Sequence, residues 1–430
     1  MNDENGMFNR FKGYFSLFFN KICEDRTYII ALLIVVSILY TLIFILIHGL
    51  CYTEQILTLN SDNSFIPDFI EMLWESYKGT PYDDGCTYFP LVFLFLKFLS
   101  FMVPILSEVD TYIMPITDPR MPELCLLYAV TVIICLGFAI CTIIKSISGF
   151  HQKFIIIFLI LFSSAMIWTI ERGNIVYMGF PLLMYYCLNY DSESDNRRAL
   201  SIISLVLAVS IKPYFCVFAV LLLRELQIKR IVVTTILIFI ANIVAIQFFG
   251  GLESISLLIS NMIELNGSQF VFEGFKMDII NTINIVGKII NPDFFFDSML
   301  FRIMLVMALI IESILVKNRC IGLTAAILSY IMFTNISWVY LLIFLIIPIT
   351  MFMRNHEQDS TDYFFILLSL LLLVFPINIF IPVGVEHVSY IYLINAICYA
   401  IISLSLGADG IRRVITKCHG LWLEKQHDSQ

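Results

Sequence analysis

Apolar runs separated by short polar links fill most of the chain. The first covers Tyr28 to His48, and others fall at 122–144, 154–170, 174–190, 199–223, 231–249, 299–316, 320–335, 337–353, 362–382 and 388–407. Most come near the roughly twenty apolar residues that a helix needs to cross a bilayer. The pattern predicts an all-α polytopic membrane protein, because a helix satisfies its backbone polar groups within itself. Basic residues gather in particular links: Lys145 to Lys153, Arg197-Arg198, Arg224 to Arg230, Lys317 to Arg319, Arg354, and the tail with Arg412, Arg413 and Lys417. The positive-inside rule assigns all of these to the cytoplasm. Two segments are settled by that requirement. If Phe89 to Leu106 crossed the membrane, the link 145–153 would land outside, so this stretch, with Lys97 and Pro104, reads as a helix dipping into or lying along the outer surface. The run 199–223 is basic at both ends and carries Lys212-Pro213 in its middle, so it reads as two half-spans meeting near the outer face. The expectation is a bundle of about twelve membrane segments with both termini in the cytoplasm.

Three parts follow from this reading. Residues 1–27 form a cytoplasmic amphipathic segment, in which Phe8, Phe11, Phe15, Phe18 and Ile22 recur at helical spacing among Arg10, Lys12 and Lys21. Residues 28–407 form the transmembrane domain, with outer loops at 49–121 and 250–298, and residues 408–430 form a cytoplasmic tail. In the first outer loop, Phe65 to Pro90 (FIPDFIEMLWESYKGTPYDDGCTYFP) is where acids, aromatics and turn residues crowd together for longest. At the helical period Asp68, Glu71, Glu75 and Lys78 share one face, while Ile66, Ile70, Leu73, Trp74 and Tyr77 cover most of the rest. That is the pattern of a juxtamembrane helix with its carboxylates toward water, or of an ordinary connecting helix with a solvated face. Gly79-Thr80-Pro81 ends it.

Composition excludes a single water-soluble core: 59% of residues are hydrophobic, 14% are charged, and the mean hydropathy is +0.89. The run Tyr28 to His48 is too long for the apolar part of a secretory signal and lacks a small-residue cleavage site, so it reads as a retained span. The net charge of -8 reflects acids in the first outer loop and in short connections, which gives no reason to expect a nucleic-acid partner. Most of the 11 cysteines lie in apolar runs without metal-site spacing. Cys51 and Cys86, near the two ends of the first outer loop, either pair in an oxidising compartment or remain free thiols. Nucleotide-loop and metalloprotease motifs (GxGxxG, GxxxxGK[ST], HExxH) are absent, so any substrate must be handled by the membrane segments and the outer loops. No cofactor is expected. Glu108 and Asp110 are too few carboxylates to assign a metal, Asn266-Gly267-Ser268 matches a short glycosylation pattern, and His48 and His387 read as interfacial polar tips.

Ionisable groups at apolar depth are costly and call for a reason. Glu171, Arg172 and Lys212 are such groups, and the topology brings Arg172 and Lys212 to the same outer face as Asp68. Two cations facing a carboxylate can hold a phosphate at headgroup level while the carboxylate acts as a base. The plain alternative is that Glu171 and Arg172 terminate a helix and reach for the interface.

The run ERGNIVYMGFPLLMYY, Glu171 to Tyr186, followed by RRALSIISLVLAVSIKPYFCVFAVLLL, Arg197 to Leu223, resembles the central signature of glycosyltransferase family 87, in which Arg-Gly-Gln/Asn precedes a span and a Lys-x-x-Pro-like element follows. Asp68, Tyr77, Gly79, Tyr82 and Tyr88-Phe89-Pro90 resemble that family's opening loop, and NISWVYLLIFLIIP, Asn335 to Pro348, its later Ser-Trp stretch. The chain departs from the family pattern at Asn174, usually Gln, at Phe89, at Pro213 directly after Lys212, and at Tyr340, where His is common. The resemblance implies a GT-C bundle in the inner (plasma) membrane that takes a sugar from a polyprenyl-phosphate-linked donor and passes it to an envelope glycan or glycolipid. On that basis Asp68 is the general base, Arg172, Lys212 and Asn174 hold the donor phosphate, and Glu71, Tyr82, Tyr88, Trp338 and Tyr340 bind substrate. Two other readings share the same residues: a lipid-linked glycan flippase, which needs a polar path through the bundle, and an O-antigen-type polysaccharide polymerase, which joins repeat units rather than single sugars.

Overall fold

The computed structural model describes residues 27–48, 66–83, 85–103, 118–267, 276–333, 338–354, 362–372, 380–383 and 386–427. The basic amphipathic stretch before Thr27, Cys51 and with it any pairing to Cys86, the Glu108 and Asp110 carboxylates, and Ser268 lie outside those residues.

Helix α1 (Thr27–His48) is the first apolar run. The short α2 (Pro67–Lys78) and α3 (Pro90–Ser100) each begin at a proline, which suits the first helical turn because its missing N–H has no partner there. Then come α4 (Met121–Ser146), α5 (Phe150–Phe162), α6 (Ser164–Arg172) and α7 (Val176–Asn189). Helix α8 (Asp195–Ile211) stops at Lys212 and passes through a 3₁₀ segment, Pro213–Ala219, into α9 (Val220–Arg224). Helices α10 (Ile228–Ile246), α11 (Glu253–Gly267), α12 (Ile279–Ile290), α13 (Met299–Leu315) and α14 (Arg319–Phe333) lead to a second 3₁₀ segment, Val339–Leu345, which runs into α15 (Ile346–Arg354). After α16 (Asp362–Leu370), strands β1 (Phe380–Val383) and β2 (Glu386–Ser389) pair antiparallel, with Phe380 opposite Ser389 and Val383 opposite Glu386. Helix α17 (Tyr390–His427) follows.

The chain is an all-α membrane protein. Among the described residues, four stretches are long and apolar enough to cross a bilayer: Met121–Ser146, Phe150–Arg172, Ile228–Ile246 and Tyr392–His419. Only 11% of the Ile228–Ile246 window is buried, and Phe239 and Val244 stand out from it, so this helix turns an apolar surface outward as a lipid-facing helix does. Three details differ from the pattern read in the sequence. The run 154–170 is two helices, broken where Ser163 ends α5 and its Oγ accepts the Met166 amide at 3.2 Å to start α6. The run 362–382 is not one span: α16 ends at Leu370, and the β-branched Ile381 and Val383 lie in the ribbon with Pro382 on its edge. The boundary read at residue 408 is not a break in the helix, since α17 continues through it.

Packing produces two cores. The larger gathers Phe180, Leu183 and Tyr186 of α7, Leu205 and Ala208 of α8, Leu323 to Leu328 of α14, and Val339 to Ile347. The smaller lies under α2 and α3 and joins Ile66, Phe69, Phe93, Tyr128, Tyr177 and Phe249. Ile170 and Ile211 pack against both, so the residues that follow them, Arg172 shortly after one and Lys212 directly after the other, emerge at the seam. Gly179 of α7 is fixed by this packing, since a Cβ there would lie 2.3 Å from the Phe215 ring, which itself packs edge-on against Phe344 at 4.8 Å. Gly179→Ala is expected to destabilise the protein by about 1–3 kcal/mol through overpacking. Thermal unfolding in detergent measures this, and adding Phe215→Leu should recover most of the loss.

Candidate functional site

The site begins at an unusual backbone position. Ile66 adopts φ 53, ψ 40, a left-handed conformation that costs a β-branched residue free energy. In return its amide donates to the Glu171 carbonyl at 3.0 Å, tying the start of α2 to the end of α6. Gly173 makes the approach feasible. It closes α6 at φ +68, and a Cβ on it would lie 2.9 Å from Ile66 Cα and 2.9 Å from Phe69 Cβ. This contact sets Asp68, in the first turn of α2 where the helix dipole favours a carboxylate, opposite Arg172.

Three side chains then meet at Asp68 or one step from it. Arg172 Nε lies 3.1 Å from Asp68 Oδ1 and 3.3 Å from Oδ2. Asn174 Nδ2 donates to Oδ2 at 2.7 Å, and its Oδ1 accepts from Lys212 Nζ at 3.3 Å and from the Val176 amide at 3.3 Å. The amide of Asn174 therefore relays between acid and lysine. Lys212 reaches it because Pro213 disfavours helical geometry in the residue before it: Lys212 is extended, at φ -138, ψ 123, and α8 ends there. The lysine is 6% exposed. Its ammonium sits over the rings of Tyr88, Tyr214 and Tyr340 at 4.5, 5.5 and 5.8 Å, a cation–π cage that offsets part of its lost hydration. Tyr214 and Tyr340 come from the two 3₁₀ segments, each entered from an extended residue, Lys212 or Trp338. Trp338 lies under the Arg172 guanidinium at 5.4 Å and pairs its backbone with Lys276.

Asp68, Arg172, Asn174, Lys212, Tyr88, Trp338 and Tyr340 thus come together. Glu71 lies close enough to Tyr88 to act on it: burial pushes the Tyr88 hydroxyl well above its ordinary range, and Tyr340, Asp68 and Glu71 add to the shift. The phenol stays protonated and able to donate. Tyr82 is elsewhere. It is buried against Phe93, donates to the Tyr88 carbonyl at 3.3 Å, and has its own carbonyl held by Asn261 at 2.9 Å, so it props the loop rather than lining the site. Glu75, read as one of the water-facing carboxylates of α2, is 1% exposed, because that part of the helix packs into the smaller core. Among the described residues there is no cluster of three or more potential metal ligands.

A cavity of about 780 Å³ opens beside Lys212. Its head is aromatic and polar, with Tyr88, Tyr214 and Tyr340 around the ammonium and Tyr330 behind Tyr214. Its body is apolar, lined by Val217, Val306 and Leu341 and by Ile303, Met307, Ile310 and Phe333, which are partly exposed on the flank of α13 and α14. Tyr214 and Tyr330, stacked at 4.1 Å, are additions to the residues named from the sequence. The usable signal was Tyr214 lying two residues after Lys212. Gly173 carried a signal too, between Arg172 and Asn174.

Comparison with protein-family models, curated proteins and solved structures finds no match.

Gly173→Ala is expected to cost about 1–2 kcal/mol for the left-handed backbone alone, with the clash against Ile66 in addition. A double-mutant cycle of Asp68→Asn with Arg172→Gln should read a coupling of about 0.5–1 kcal/mol for this part-exposed pair in the otherwise unaltered protein, and close to none in the Gly173→Ala background.

Proposed function

We propose that the chain is a GT-C type membrane glycosyltransferase that moves one sugar from a polyprenyl-phosphate-linked donor to a glycan or glycolipid acceptor at the outer face of the plasma membrane. In this reading about twelve segments, some of them broken or half-length, fill the membrane, α2 and α3 lie along its outer surface, and both termini are cytoplasmic. One observation carries the proposal: Lys212, joined through Asn174 to the Asp68–Arg172 pair, lines the polar end of a cavity whose remaining length is apolar and open on its flank. That profile suits a ligand with a charged head and a hydrocarbon tail.

The chemistry follows from the contacts. Arg172 and Lys212 bind the donor phosphate, Arg172 through a fork of donors and Lys212 as a point charge. An arriving phosphate competes with Asp68 for Arg172, so loading the donor releases a carboxylate oxygen that Arg172 had occupied. Asp68 then takes the proton of the acceptor hydroxyl as its oxygen attacks the anomeric carbon. The bond from that carbon to the phosphate oxygen breaks, and the lipid phosphate leaves carrying the charge that the two cations stabilise. Tyr88 is placed to donate to the same phosphate or to a sugar hydroxyl. A flippase is the weaker reading, because the interval along α7 from the site to the far end of the bundle is filled by Phe180, Leu183, Met184 and Cys187, all buried in the core.

In a reconstituted assay with a polyprenyl-phosphate sugar, Asp68→Asn should lower transfer by about 10²–10⁴-fold, and Lys212→Met by about 10²–10³-fold, with insertion and melting temperature near those of the parent. Product masses should rise by a single sugar, whereas a ladder of repeat units would identify a polymerase. Undiminished transfer by Asp68→Asn would refute its role as the base.

A further inference from the structure

The opposite end of the bundle holds a second cavity, of about 900 Å³, with polar and apolar lining in similar measure. It lies between the last turns of α4 and α7, the loop that follows α7, and the start of α8. Along α4, Tyr128 donates to the Ile170 carbonyl beside the Asp68 cluster at 2.7 Å, and Lys145 on the second cavity lies about 25 Å further along the same helix.

Three cations from three elements surround this cavity: Lys145 of α4, Arg197 of α8 and Arg354 of α15. Arg354 is fixed at the rim, since its Nη1 donates to the Leu188 carbonyl at 2.6 Å. Two carboxylates share the lining, but Asp191 is engaged by Arg319 at 2.8 Å, which leaves Glu193 against the three positive charges. The first turn of α8 adds to the field. Ser194, its N-cap, lines the cavity, so the positive end of the helix dipole lies there, with Asp195 of that turn paired to Arg198. On the α4 side the cavity is bordered by Phe138, stacked on Tyr185 at 5.7 Å, and by the exposed Cys141. Ile134 and Ile144 of the same helix are also exposed, and α4 is one of the stretches able to span a bilayer.

We propose that this cavity binds the phosphate of an anionic phospholipid, with the headgroup among Lys145, Arg197 and Arg354 and the acyl chains along the exposed face of α4. Basic pockets between membrane helices select such headgroups, and the apolar flank distinguishes a lipid from a dissolved phosphate. The site is separate from the Asp68 cluster and does not rest on the activity proposed for it.

Native mass spectrometry of the full-length protein in detergent tests this, using phosphatidylglycerol and phosphatidylcholine with matched acyl chains. Phosphatidylglycerol should be retained in preference. Lys145→Gln with Arg197→Gln should weaken its binding by about 25-fold, about fivefold for each cation removed, while phosphatidylcholine is unchanged. Lys145→Arg with Arg197→Lys should bind as the parent does, which separates charge from packing. Arg198→Gln, whose arginine pairs with Asp195 on the same face, should change binding by less than about twofold. Equal retention of the two lipids, or undiminished phosphatidylglycerol binding in the double glutamine variant, would overturn the proposal. So would displacement of the lipid by millimolar inorganic phosphate, which would assign the pocket to a soluble anion.

Discussion

A lysine ammonium buried in an apolar bundle must be answered by other groups, since hydrocarbon cannot replace its hydration. Lys212 meets this demand through the Asn174 carbonyl oxygen and three tyrosine rings, with Asp68 one hydrogen bond further away. Much local structure exists to supply those partners. Pro213 ends α8 and turns the lysine inward, the 3₁₀ segments deliver Tyr214 and Tyr340, and the Ile66–Glu171 hydrogen bond brings Asp68 across the seam. Removing a direct contact such as the Asn174 carbonyl oxygen leaves the ammonium uncompensated in a medium of low dielectric, which costs more than the contact contributes in net stability, whereas Asp68, part-exposed and one hydrogen bond away, is needed less for that purpose.

The location on a seam matters as much as the charges. Asp68 belongs to a helix rooted in the smaller core, while Arg172 and Lys212 follow residues packed against both cores. The polar contacts therefore sit where the two cores meet, with Ile175, Tyr177 and Met178 beyond Asn174 packed into the same smaller core as the Asp68 helix. The close fit of Gly173 against Ile66 and Phe69 sets the approach of the two helices there.

The sequence exposed the site more fully than the fold. Asp68, Arg172 and Lys212 could be found because charges are rare in apolar surroundings, and the positive-inside rule brought them to one side; the structure brings them into one network. The role of Tyr82 could not be read, because a tyrosine in a turn looks the same whether its hydroxyl meets a ligand or a loop carbonyl. Glu75 was misjudged for a related reason: helical periodicity identifies a face but not what covers it, and α2 packs into a core. Hydropathy was equally blind to the break at Ser163 and to the strand at Phe380–Val383, since apolar content alone does not distinguish one long helix from two short ones or from a strand.

The two cation clusters also bear on how the protein sits in its solvent. A bilayer presents phosphate at both faces of a hydrocarbon core about 30 Å thick, and the separation along α4 between the Asp68 end and Lys145 is of the same order. Cations at only one end would leave the tilt and depth of the bundle to its apolar girth. Cations at both ends, with Phe180, Leu183 and Met184 packed between them, give two electrostatic reference planes. On the function proposed above, the Asp68 cluster would stand at the depth of one phosphate layer, and a lipid-borne substrate would meet the cations without leaving its leaflet.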